Sequence, residues 1–274
     1  MPTGTSAATR MDSRRSPSSI MPDAKTIRRQ ISTGQWRGTT VGRAGRHVQT
    51  GLVILPKAEA YDFLVFCQRN PQPCPLLEVT DPGCPTPKTL APGADIRHEV
   101  GLYSVWRDGV LVEEVTDIAP LWQDDFVAFF LGSSLTFLQA LADAGCVSSV
   151  GVVLYKTNIM CKPAGRFAGP MVVTMQTLPA AKVARAVQVT SRFQATHGAP
   201  IHIGDPAAIG ITDLAQTIGP APPNGIPPGD VALFWACSVT PQTVAQASAI
   251  PFMITHSSGH GFVTDLEDHD LAVP

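Results

Sequence analysis

The sequence predicts an α/β protein with two lobes, a domain built on a mostly parallel sheet and a smaller α+β domain. Three observations predict it. Residues 171–255 alternate short apolar runs with helix-like patterns, the signature of βαβ units and a parallel sheet. The continuous apolar run at 51–55, followed by Pro56 at a helix start, adds one more strand–helix step to that domain. Residues 84–159 differ in texture, with a hairpin signal at their centre. The expected layout is 23–83 with 160–274 as the α/β domain, and 84–159 as the smaller α+β lobe inserted in it. Residues 1–22 are rich in Ser, Thr, Ala and Arg without apolar period, and are expected as a disordered extension.

Each element follows from local chemistry. Asp23 is placed to cap a short helix carrying Ile27 and Ile31 on one face. After the strand at 51–55, the helix over 59–67 carries Tyr61, Phe63, Leu64 and Phe66 as packing residues. A strand at 75–79 ends at Asp81-Pro82-Gly83. Apolar residues at 103–107 and 110–115 flank Asp108-Gly109, the pair that a type I′ hairpin turn prefers. Thr116 or Asp117 can cap a helix towards Trp122, and residues 126–145 read as one or two helices stopped by Gly145. Strands follow at 171–175, 200–203, 231–236 and 252–255, with helices at 179–192 and 241–247, the second capped by Thr240. Proline clusters at 71–75 and 220–223 mark loops. No internal repeat of solenoid period is visible.

Composition narrows the function. The 274 residues are 44% hydrophobic and 15% charged, with a formal net charge of −2. Nucleic-acid binding needs a clustered cationic excess that this chain lacks. No apolar run approaches the ~20 residues of a membrane span. The six cysteines form no Cys-x-x-Cys pair, and the N-terminus has no apolar secretory core. The expectation is a cytoplasmic protein with reduced, mostly buried thiols, no cofactor, no membrane or nucleic-acid partner, and oligomeric state left open.

In open parallel sheets ligands bind beyond the carboxyl ends of strands. That rule selects His202-Ile203-Gly204-Asp205-Pro206, Cys237-Ser238-Val239-Thr240, and Thr255-His256-Ser257-Ser258-Gly259-His260. His256 and His260 are candidate general bases, because histidine titrates near neutral pH; solvated loop histidines are the plainer alternative. With Asp265 they also suggest a metal site, although the spacing departs from the helical His-Glu-x-x-His motif. Asp205 reads as an acid or as a helix cap. Cys237 reads as an activated thiol or as an inert buried one. Glu78 sits among apolar neighbours that would raise its pKa. Arg69 has a fork of donors suited to a carboxylate.

Taken together, these segments resemble the hydro-lyase family also known as the D-glutamate cyclase family. The resemblance is carried by Gly34-Gln35-Trp36-Arg37-Gly38, by Phe66-Cys67-Gln68-Arg69-Asn70-Pro71 with Cys74-Pro75-Leu76-Leu77-Glu78, and by Gly93-Ala94-Asp95-Ile96-Arg97. It continues through Tyr155-Lys156-Thr157-Asn158-Ile159, His197-Gly198-Ala199-Pro200, Phe234-Trp235-Ala236-Cys237 and Thr255-His256, and covers nearly the whole chain from about residue 25. It implies a two-domain α/β enzyme that removes water from a small amino or hydroxy acid, with the closure of D-glutamate to 5-oxo-D-proline as the related activity. It transfers no catalytic residue. Where family members carry a Gly-Cys-Ser-Phe-Ser-Phe-Glu-like stretch, this chain has Gly132-Ser133-Ser134-Leu135-Thr136-Phe137-Leu138, without the Cys and the Glu.

The expected site therefore has His256 or His260 as base, Glu78 or Asp205 as acid, and Arg69 or Arg97 as carboxylate clamp. Thr157, Asn158 and His202 would help to position the substrate. The rival expectations are a non-catalytic protein that captures a small acid resembling 5-oxoproline, and a metal-assisted hydrolase using His256, His260 and Asp265.

Overall fold

The structure, a computed structural model, describes residues 22–219 and 225–273. The extension expected at 1–22, save Pro22, and the proline cluster at 220–223 lie outside the described residues.

Asp23 accepts from the Thr26 N–H and caps α1 (Ala24–Ser32). β1 (His47–Pro56) leads directly into α2 (Lys57–Arg69), which buries Phe63, Phe66 and Cys67 but leaves Tyr61 and Leu64 exposed. After β2 (Leu76–Val79) comes the hairpin of β3 (Tyr103–Arg107) and β4 (Val110–Val115). Asp108 and Gly109 both take positive φ there (48° and 76°), as a type I′ turn requires. The helix expected towards Trp122 is a single 3-10 turn (Ala119–Leu121), at whose start Asp117 accepts from the Ala119 N–H.

The helix expected from 126 is instead strand β5 (Phe126–Gly132), and helix begins only with a 3-10 turn (Ser134–Phe137) that runs into α3 (Leu138–Asp143). A short run buried on both faces carries no period that separates strand from helix. Val127, Phe129 and Leu131 enter one core, and Phe126, Ala128 and Phe130 enter the other. The remaining elements are β6 (Val153–Met160), β7 (Pro170–Pro179), α4 (Ala180–Thr190), β8 (His202–Ile203), β9 (Asp230–Ala236), α5 (Thr240–Ala247), β10 (Phe252–His256), β11 (Phe262–Glu267) and α6 (Asp268–Leu271).

Two sheets result. One runs β2-β5-β1-β10-β3-β4, with β11 joining β1 beyond β10; the other runs β6-β7-β9-β8. Every pairing among the described strands is antiparallel. This corrects the expected mostly parallel sheet. The strand–helix–strand units do exist, but a later strand separates their two parallel members: β5 lies between β1 and β2, and β9 lies between β7 and β8. Residues 84–159 form no sheet of their own. They supply β3, β4 and β5 to the sheet of β1, and most of β6 to the other.

The two β-α-β units are copies in register as well as in order. The pairs Thr50↔Gly132 to Pro56↔Phe126 correspond one for one to Val173↔Ala236 to Pro179↔Asp230. Pro56 and Pro179 are the N-caps of α2 and α4. Val127-Ala128-Phe129-Phe130-Leu131-Gly132-Ser133-Ser134-Leu135-Thr136 aligns on Val231-Ala232-Leu233-Phe234-Trp235-Ala236-Cys237-Ser238-Val239-Thr240, with five of ten positions identical. The closing threonines make the same bond to the facing strand: Thr136 Oγ1 accepts from Gln49 N (3.1 Å) and Thr240 Oγ1 accepts from the corresponding Val172 N (3.0 Å), while their own protons go to the Gln49 carbonyl and, at 2.7 Å, the Cys237 carbonyl. A search at fixed period misses this duplication, because β1 and β7 are 123 residues apart while β5 and β9 are 104 apart.

Gly132 is required by packing. A Cβ there would lie 1.9 Å from the Ala195 carbonyl oxygen, a contact that only backbone movement relieves. Gly132→Ala is expected to cost about 3 kcal/mol or more, read as a lowered urea midpoint.

Candidate active site

A cavity of about 230 Å³ lies between the two copies. That is smaller than the ~300–1,000 Å³ of drug-sized ligand sites and suits a molecule of amino-acid size. It is lined from both sides by corresponding turns, Ser133-Ser134-Leu135 after β5 and Cys237-Ser238-Val239 after β9. Thr174 of β7, His256 at the end of β10 and the glycine-rich loop at 258–261 complete the wall, and Thr39 and Val41 border it. Thr40 fastens that border to the loop through hydrogen bonds to the Gly259 and Gly261 carbonyls.

The position of His256 follows from a break in the sheet. β10 pairs β1 at Val53 and Ile54, and β11 pairs it again from Thr50, so Gly51 and Leu52 face the interruption. The His256 imidazole occupies the gap. Leu52 N–H donates to Nδ1 at 3.1 Å, which makes Nδ1 the acceptor and puts the proton of a neutral ring on Nε2. The hydrogen bonds of the ring among the described residues are at Nδ1, and the side chain lines the cavity. Nδ1 also lies 3.4 Å from the Leu52 carbonyl, the longer of the two contacts, and burial lowers the His256 pKa to about 4 against the pull of that carbonyl. The ring is therefore neutral at pH 7 and presents an N–H to the cavity.

The absence of a side chain at Gly51 makes room for this group. A Cβ there would come within 2.7 Å of Ser238 Cβ, 2.8 Å of its Oγ and 3.0 Å of His256 Cε1. Opposite, Ser134 Oγ lies 3.4 Å from Thr174 Oγ1. Burial raises the Cys237 pKa, so that side chain is a thiol at neutral pH, as the plainer reading of it expected. Among the described residues no Lys, Arg, Asp or Glu lines the cavity.

Of the other expected site residues, none lines this cavity. His260 turns away, with Nδ1 on the Ser258 carbonyl and its ring against Gly101. Glu78 accepts from the backbone N–H groups of Lys88, Thr89 and Leu90 and from the Thr89 hydroxyl, bracing the 88–90 loop. Asp205 is exposed and caps the turn at Ala207; His202 Nε2 meets the Asp205 carbonyl. Arg69 donates to the Pro163 carbonyl. Arg97 is paired with Asp95 at 2.7 Å. Thr157 donates to the Met171 carbonyl, and Asn158 is exposed beside Gly210. Asp265 is held by Arg28 at 2.8 Å. Among the described residues no three His, Cys, Asp or Glu side chains gather as a metal-holding group, so His256, His260 and Asp265 form no ligand set.

Sequence reasoning did not single out Gly51, Ser133, Ser134 or Thr174 as site residues, and reached Ser238 only as part of the strand exit at 237–240. The available signal was the repeated Ser134 and Ser238, each two residues before a threonine. Ser133, where the family pattern has Cys, lines the cavity; Leu138, where it has Glu, does not.

Buried neutral histidines also make folding pH-dependent. His197, like His256, is held by burial at a pKa of about 4. Both pKa values lie below the unfolded value of about 6.5. The unfolded chain thus binds more protons between these limits, and stability is complete above pH 6.5 and is lost as pH falls towards 4. The expected loss at pH 5 relative to pH 7 is on the order of 2 kcal/mol for each ring, measured as a drop in urea midpoint; an unchanged midpoint would contradict it.

Comparison with known proteins places these features in context. A family model described as "D-glutamate cyclase" matches residues 127–265. A protein of Stutzerimonas stutzeri named "Putative hydro-lyase" is 50% identical over 252 residues, covering 90% of this chain and 95% of its own. A similarly named protein of Bacillus subtilis is 49% identical over 255 residues, covering 91% and 98%. One of Rubrobacter xylanophilus is 50% identical over 258 residues, covering 92% and 99%.

Proposed function

Because the chain belongs to the hydro-lyase family whose model is that of D-glutamate cyclase, we propose that it is a carbon–oxygen lyase acting on a small amino or hydroxy acid. Its reaction in this reading is the closure of D-glutamate to 5-oxo-D-proline and water, and its site is the cavity around His256. The observation that carries the reading is the neutral imidazole, fixed through Nδ1 by Leu52 and directing Nε2–H into a cavity lined by hydroxyl groups.

The chemistry asks for proton movement at one place. The amine nitrogen of D-glutamate attacks the side-chain carboxyl carbon, a C–N bond forms, and one carboxyl C–O bond breaks. The ammonium group loses two protons in all, and the departing oxygen takes two and leaves as water. His256 Nε2–H donates a hydrogen bond to the carboxyl oxygen and stabilises the charge that develops there, while both protons pass from the nitrogen to the departing oxygen within the reacting acid, so the ring keeps its proton throughout. A ring that is neutral at pH 7 is such a donor without carrying a charge of its own. The hydroxyls of Ser134 and Ser238 orient the acid by hydrogen bonding.

The test is to incubate the purified protein with D-glutamate and, separately, with 5-oxo-D-proline, and to follow interconversion by chiral chromatography. Turnover supports the reading. Absence of turnover of both acids, under conditions where they bind, sinks it in favour of a small-acid binding protein. One observation favours that second reading: His256 and Cys237 are the only titratable side chains among the cavity's lining residues.

A further inference from the structure

The two copies meet at the cavity in a way that relates their contacts as well as their folds. Gly51 corresponds to Thr174 and Ser134 to Ser238. Gly51 of the first copy abuts Ser238 of the second, and Thr174 of the second meets Ser134 of the first. Exchanging the copies converts one contact into the other, so the cavity straddles a local pseudo-twofold axis. β10 and β6 occupy corresponding places beside β1 and β7, although they come from different points of the chain. In the first copy His256 fills the position facing Leu52; in the second, Val153 faces the corresponding Met175. Both His256 and Val153 line the cavity.

We infer that this is a duplicated binding site whose halves have diverged. The half made by Gly51, Ser238 and His256 takes the reacting carboxyl group, and the half made by Thr174, Ser134 and Val153 holds the other end of the same acid. The inference rests on the proposed reaction and deepens it by dividing the labour within the site. Three differences carry the division. Where one half has a ring that donates an N–H, the other has an aliphatic side chain that can donate no hydrogen bond. Where one half has the bare backbone of Gly51, leaving Ser238 Oγ and the imidazole side by side, the other has Thr174, whose hydroxyl is within hydrogen-bonding distance of Ser134 Oγ. The hydroxyl pair suits a group that is to be held, and the open serine beside the imidazole suits a group whose oxygen departs. The ligand class that matches is a short acid with a hydrogen-bonding group at each end.

The experiment measures kcat and KM for D-glutamate and 5-oxo-D-proline, and Kd by calorimetry for these two acids and 2-hydroxyglutarate. It compares the full chain with Ser238→Ala, Ser134→Ala and Thr174→Val, each checked for an unaltered melting temperature. Ser238→Ala is expected to lower kcat about 10²-fold with Kd changed by less than about threefold. Ser134→Ala and Thr174→Val are expected to raise KM and Kd about tenfold. Gly51→Ala, whose methyl group would displace Ser238 and the ring, is expected to follow Ser238→Ala. Equal effects of the two serine variants on the same constant overturn the division, while the proposed reaction stands. If the acids bind without turnover, the proposed reaction falls. The division is then judged on Kd, supported by weakening in Ser134→Ala but not Ser238→Ala and overturned by equal weakening. If none of the three acids binds, both fall.

Discussion

His256→Asn is expected to reduce kcat/KM for D-glutamate or 5-oxo-D-proline by about 10²–10³-fold, the usual contribution of a hydrogen-bond donor aimed at developing charge. Asparagine separates the two functions of the ring. Its Oδ1 can take the place of Nδ1 and accept from Leu52 N–H, so the broken edge of the sheet keeps its hydrogen bond. It has nothing in the place of Nε2. His256→Ala removes both, and the unpaired Leu52 N–H is expected to add about 1–3 kcal/mol of destabilisation. The comparison distinguishes chemistry from folding: both variants lose turnover, but only the alanine variant loses appreciable stability. Asn should also remove about half of the stability lost between pH 7 and pH 5, leaving the part due to His197. Full activity in the asparagine variant would remove His256 from the mechanism.

Arg28→Met is expected to destabilise the fold by about 3 kcal/mol. Arg28 is 3% exposed. It joins α1 to β11 and to the 95–99 turn through Asp265 (2.8 Å), Glu99 (3.0 Å) and the Val263 carbonyl (2.8 Å). Its removal leaves two half-buried carboxylates and a carbonyl without their donor. For a chain of this length the loss corresponds to roughly 6–12 °C in melting temperature. Burial already raises the Glu99 pKa, against the opposing pull of Arg28; without the guanidinium it rises further. A carboxyl whose folded pKa exceeds the unfolded one stabilises the fold below the unfolded value, and that contribution is lost as pH rises through the folded value. The cost of Arg28→Met should therefore be smaller at pH 5 than at pH 7. A variant as stable as the parent at both values would contradict this account of how α1 is held.

Much of the fold is legible locally. Asp23 caps its helix, Asp108-Gly109 turns its hairpin, and the strand at 51–55 with its following helix stands as read. What the sequence hides is non-local. Nothing within residues 171–255 tells that β9 will enter between β7 and β8, because strand direction depends on where a later segment returns. β11 carries Thr264, Asp265 and Glu267 and is not among the strands expected from the sequence; it is a strand because β1 and α1 flank it and Arg28 neutralises Asp265. The site divides in the same way. His256 is identifiable as a histidine at a strand exit. The serines are small residues whose value arises only when two turns 104 residues apart face one another. Glu78, Arg69 and Arg97 attract notice by charge, yet each engages neighbouring protein groups.

The central claim is that the cavity between the two copies, with His256 Nε2 facing into it, is where the acid binds and reacts. The most direct measurement is a crystal structure of the protein with 5-oxo-D-proline. The predicted result is the acid in the cavity, one ring-carbonyl or carboxylate oxygen within about 3.2 Å of His256 Nε2, and hydrogen bonds to Ser238 and Ser134. The acid bound beside Arg69, Arg97 or Asp205, with the cavity left to water, would contradict it.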